Sequence, residues 1–91
     1  MTISTRTLIE MRLTPLEFDF LEALLESHPN PVSVKEATRI FRSKSVSSMR
    51  VLAHKFKEKL NRKGMTVWTI FGVGYRLSDE TFAALKQENE A

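Results

Sequence analysis

Ser47, Ser48, Arg50, Val51, His54, Lys55, Lys57 and Arg62 fall within one short stretch of this 91-residue chain. Side chains of these types do recognition chemistry on a polyanion and not bond-making chemistry. Arginine and lysine donate to phosphates and to the acceptor edge of guanine. Serine hydroxyls and the amides of a helix N-terminus bond phosphate oxygens. A valine among such cations gains nothing from water and suits the methyl group of thymine. The plainer readings of the same residues are a solvated basic helix and one stray surface valine.

The charge distribution sharpens this. Residues 1–34 carry two basic side chains against five acidic ones, a net of −3. Residues 64–91 carry Arg76 and Lys86 against four acids, a net of −2. Residues 35–63 carry ten basic side chains against Glu36 and Glu58, a net of +8. A field focused in this way attracts nucleic acid through counterion release and steers its approach.

Catalytic chemistry finds little support. His28 and His54 are expected on different elements, whereas a metal site or an acid–base pair needs converging ligands. Glu17, Asp19, Glu22 and Glu26 are spaced as a solvated helix face. The Gly72-Val73-Gly74 turn lacks the helix and lysine of a phosphate-binding loop. With no cysteine, disulfides and thiolate metal sites are excluded. No enzyme activity, cofactor or metal is expected. At 42% hydrophobic and 27% charged residues, the chain supplies one modest core and no deep substrate cavity. No apolar run approaches the ~20 residues of a membrane span. Met1 to Arg12 lacks the layout of a signal peptide. The expected location is the cytoplasm, on the nucleoid when bound.

The elements that must position these residues are announced by local signals. Ile9, Met11 and Leu13 follow period two, which predicts a short strand within Thr5 to Leu13. Thr14 and Glu17 form a capping box with Pro15 at the first helical position, and the helix ends by His28. Its expected buried stripe is Phe18, Leu21, Leu24 and Leu25. Ser33 and Glu36 repeat that start signal for a second helix with Val34, Ala37, Ile40 and Phe41 at helical spacing. After a short polar turn, Ser45 caps a third helix from Val46 to about Arg62. Met49, Leu52, Ala53, Phe56 and Leu60 form its narrow apolar face. At about 100° per residue, Ser47, Arg50, Val51, His54, Lys55, Glu58 and Arg62 lie opposite. Gly64 closes the helix.

Thr66 to Leu77 reads as a β-hairpin with its tip at Phe71 to Gly74. Trp68 and Tyr75 could stack bases, but are read as core against the third helix. Ser78 caps a last helix, from Asp79 to about Glu88. The fold class is therefore α+β and mainly helical. It is a winged helix-turn-helix: a three-helix core, a C-terminal β-hairpin wing and an additional C-terminal helix. All 91 residues form one domain, with its core at about 11–77.

The run from Met11 to Leu77 resembles the winged-helix output domain of OmpR/PhoB-type response regulators. Three stretches carry the resemblance: Leu13-Thr14-Pro15-Leu16-Glu17-Phe18, the helix from Met49 to Leu60, and Trp68-Thr69-Ile70-Phe71-Gly72-Val73-Gly74-Tyr75-Arg76-Leu77. The last, with its Gly-x-Gly-Tyr turn, is the most specific. The resemblance implies a bacterial or phage transcription regulator, here without a receiver domain, that binds double-stranded DNA as head-to-tail pairs. It implies base or phosphate contacts from Val51, His54, Lys55 and Lys57, and backbone contacts from Ser47 and Ser48. Thr69, Phe71 and Arg76 on the wing complete the expected DNA-binding set with Arg50 and Arg62. Arg50 stands where the family has aspartate and Leu52 where it has histidine, which implies a different sequence preference. Phe71 stands where many members place an arginine that enters the minor groove. The connection from Arg42 to Val46 is shorter than the family's polymerase-contacting loop.

Three functions follow as expectations. The first is sequence-specific DNA binding by a transcriptional regulator, with the third helix in the major groove and the hairpin on the adjacent backbone or minor groove. The second is a protein-interaction module for RNA polymerase or another regulator. The third is a replication or plasmid-maintenance initiator. A homodimer on DNA is expected either through head-to-tail contacts or through the last helix.

Overall fold

A computed structural model describes residues 10–90. The elements in chain order are α1 (Pro15–Ser27), β1 (Val32–Ser33), α2 (Val34–Ile40), α3 (Val46–Asn61), β2 (Val67–Ile70), β3 (Gly74–Leu77) and α4 (Asp79–Glu90). The three strands form an antiparallel sheet in the order β1-β3-β2. The described residues thus make an α+β domain that is mainly helical.

Local chemistry sets the helix starts. Glu17 N–H donates to Thr14 Oγ1 at 3.2 Å, and Thr14 N–H donates to Glu17 Oε1 at 2.9 Å, completing the capping box. Ser33 Oγ accepts from Glu36 N–H at 3.1 Å, and Ser45 Oγ from Ser48 N–H at 3.1 Å. Ser78 Oγ accepts from Thr81 N–H at 3.1 Å. Thr81 Oγ1 in turn accepts from Thr66 N–H at 2.8 Å, which ties α4 to the chain entering β2. The second helix keeps only half of its expected box. The Glu36 carboxylate turns instead to Arg39, forming a two-point pair within one turn. That hydrogen bond and the charge behind it push the Arg39 guanidinium further above its ordinary pKa.

Phe20 is the hub of the core. Its ring lies 4.8 Å from Phe41, 5.1 Å from Phe56 and 5.8 Å from Tyr75, joining α1 to the end of α2, to α3 and to β3. Leu21, Leu24, Ala37, Met49, Ala53, Leu60 and Leu77 close around it. The buried stripe of α1 is therefore rotated from the expected one. Phe20 is sealed, while Phe18 is only half-buried, because the aromatic partners of Phe20 lie on three other elements.

Two further expectations change. Glu10 and Met11 are helical where a strand was expected, and Met11 joins the core. Arg12 then turns the chain at a φ of 54°. The remainder of that predicted strand, residues 5–9, lies outside the described residues. The hairpin turn comprises Phe71, Gly72 and Val73, while Gly74 belongs to β3 and pairs with Ile70 and Ser33. β1 had no sequence signal of its own. It exists because Gly74 lets the backbones meet: a Cβ there would stand 1.9 Å from the Val32 carbonyl oxygen.

α4 packs on its own domain. Leu85 is buried, and Phe82 stacks on the His28 ring at 4.0 Å between centroids. No helix of the described residues is long and apolar enough to cross a membrane.

Candidate nucleic-acid interface

α3 divides cleanly into two sides. Met49, Ala53, Phe56 and Leu60 are buried on the core side, with Leu52 half-buried beside them. Ser47, Ser48, Arg50, Val51, His54, Lys55 and Arg62 are exposed. Val51 is 57% exposed and lies outside the apolar core. The first turn of α3 carries no acidic residue, so the positive end of its dipole is left uncompensated.

The cations on and around this helix are not equivalent. Among the described residues, Arg50, Lys55 and Arg62 enter no ion pair. His54 Nε2 lies 3.1 Å from Glu58 Oε1, one turn along the helix. Lys57 Nζ donates to Thr69 Oγ1 at 2.7 Å, fastening the hairpin to α3. Lys59 is only partly exposed. It pairs with the buried carboxylate of Glu17 and donates to the Arg12 carbonyl at 3.0 Å. Glu17 was expected on a solvated face. Instead it is 5% exposed, because Lys59 covers it from a distance of 42 residues in sequence.

The hairpin adds to this surface on one side only. Cross-strand pairing sets Thr69 opposite Tyr75 and Trp68 opposite Arg76. Because side chains alternate along a strand, the first pair faces α3 and the second faces away. Thr69 and Tyr75 line a shallow cleft of about 210 Å³ with Arg50, His54 and Lys57. Tyr75 is buried as expected. Burial pushes its hydroxyl pKa up, and the charge of Arg50 partly offsets the rise. At the tip, Phe71 is 98% exposed and Val73 47%.

Compared with protein-family models, characterised proteins and solved structures, the chain matches none.

The fold gathers Arg50, His54, Lys57, Thr69 and Phe71 around two adjoining clefts, leaves Ser47, Ser48, Val51 and Lys55 exposed on α3, sets Arg62 just past the helix beside Glu10, Met11 and Lys59, and turns Arg76 away. Arg76 Nη2 donates to Asp79 Oδ1 at 2.7 Å, and its guanidinium lies 5.1 Å from the Trp68 ring centre. His28 Nε2 lies 3.0 Å from the same Asp79 oxygen, so Asp79 links the hairpin, the end of α1 and α4. Trp68 does not enter the core. It is 46% exposed on the outer side of β2, with the Arg76 guanidinium against its ring. The signal that places it was present: hairpin register with Thr69 opposite Tyr75 forces Trp68 and Tyr75 onto opposite faces.

Proposed function

We propose that this chain is a winged-helix, double-stranded DNA-binding domain of a transcriptional regulator, akin to the OmpR/PhoB-type output domains. In this reading α3 enters the major groove, and the β2–β3 hairpin lies against the neighbouring backbone or minor groove. The observation that carries the reading is the outer side of α3, where Arg50 and Lys55 are exposed and unpaired among the described residues while the opposite side is sealed in the core. Arg50 and Lys55 reach base edges or phosphates, Val51 meets a thymine methyl, and Ser47 and Ser48 bond phosphate. Thr69 and Lys57, held together, set the angle between helix and hairpin. Head-to-tail pairing on direct repeats belongs to the same proposal.

Selection of bound duplexes from a random pool tests it. A recovered consensus, and an affinity that falls steeply with salt as counterions are released, are the expected results. Recovery of random sequence alone removes sequence specificity from the proposal. Absence of binding at low salt removes DNA.

One observation favours a second reading, a docking module for RNA polymerase or another regulator. Trp68 stands outward on the side of the sheet away from α3, and aromatic side chains are enriched at protein interfaces. Gel shifts with and without polymerase separate the two. DNA retention only in the presence of polymerase favours the second.

A further inference from the structure

Phe71 is the most exposed of the large apolar side chains among the described residues. It sits on a turn that is held from two sides. Val73 N–H donates to the Ile70 carbonyl at 2.9 Å, and Val34 N–H donates to the Val73 carbonyl at 3.1 Å. Gly72 supplies the φ of 73° that a tight turn needs at this position. The ring is therefore presented on a braced stalk. The same turn lines a cleft of about 170 Å³ with Arg50, Val34 and Thr69, so the tip stands beside the cationic side of α3.

An apolar ring held in water next to the unpaired Arg50 fits one occupant best: the interior of a base stack, apolar on its faces and flanked by phosphates. We infer that Phe71 is a wedge that enters the minor groove beside the helix-bound major groove, parts two stacked base pairs and kinks the duplex. The inference rests on the DNA-binding reading above. Pyrimidine–purine steps open most easily, so the wedge selects a TA or CA step at a fixed distance from the bases read by α3. In this way the hairpin contributes specificity without a hydrogen bond to any base.

The test uses the full chain and duplexes recovered by selection, end-labelled for energy transfer and carrying 2-aminopurine at the candidate step. Wild type is expected to bend the duplex by roughly 20–90° and to raise 2-aminopurine emission as the step unstacks. Phe71→Ala is expected to bind the same duplex roughly tenfold more weakly, the loss of one apolar contact, and to leave it straight. Phe71→Leu, which keeps an apolar wedge, is expected to retain the bend. Binding by wild type with no bend and no emission change overturns the wedge and leaves the DNA-binding reading standing. Failure to bind any duplex overturns both. If Phe71→Ala abolishes self-association in sedimentation while the bend persists, the ring docks on a second copy, and the wedge is overturned.

Discussion

Lys55 and Lys59 lie one helical turn apart on α3, and the fold uses them for different ends. Lys59 leans inward to the buried Glu17 carboxylate and the Arg12 carbonyl, locking the start of α1 to the last turns of α3. Lys55 points into solvent with no counter-charge among the described residues. Both count equally toward the +8 of their segment, yet only one is free to meet a polyanion. The available cationic surface is therefore smaller than the charge tally, and it lies where α3 has no acidic neighbour across the core. The two sides of the hairpin repeat the contrast. Thr69 and Tyr75 join the α3 surface, while Arg76 is already engaged by Asp79 and Trp68.

The largest effect expected is on stability. Lys59→Met keeps the aliphatic stem but strands the Glu17 carboxylate. The cost is roughly 2–4 kcal/mol in urea unfolding, below the range for a fully buried pair because Lys59 keeps some solvent contact. DNA affinity of the folded fraction should hardly change. If Lys59→Met instead weakens DNA binding and leaves the unfolding midpoint in place, the contrast between the two lysines is wrong.

Next come Arg50→Ala and Lys55→Ala, each expected to cost about 1–3 kcal/mol of DNA affinity by titration. Their unfolding midpoints should match wild type within about 0.5 kcal/mol, as for other exposed sites. A residue bound to phosphate lowers the salt slope by about one, whereas a base-reading residue relaxes the recovered consensus at one position.

Arg76→Gln sharpens the hairpin comparison. It should cost about 0.5–1 kcal/mol of stability through the lost aromatic contact and ion pair, with DNA affinity unchanged. An affinity loss matching that of Arg50→Ala would place Arg76 at the interface after all. Glu58→Gln, which frees His54 from its anion, should strengthen DNA binding by less than about 1 kcal/mol.

The smallest effect is alkaline. Burial raises the Tyr75 pKa in the folded chain. Its contribution to stability is therefore complete below the ordinary tyrosine value of about 10 and is lost as pH rises through the raised folded value. Tyr75→Phe should flatten the loss of unfolding free energy above about pH 10. An unchanged alkaline slope would mean that Tyr75 ionises as freely in the folded chain as in the unfolded one.

The sequence by itself determined the starts of α1 to α4 and the two-sided character of α3. Those features depend on residues three or four positions apart, such as Thr14 with Glu17, Ser45 with Ser48, and Met49 with Ala53 and Phe56. Tertiary structure alone decided which side chains were consumed. Phe20 became the hub instead of Phe18 because Phe41, Phe56 and Tyr75 converge on it from distant parts of the chain. Glu17 became buried because Lys59 came to it. β1 formed because Gly74 admits a second backbone. The period of a helix is a local property of the backbone. Pairing and burial belong to contacts between residues that local spacing does not link.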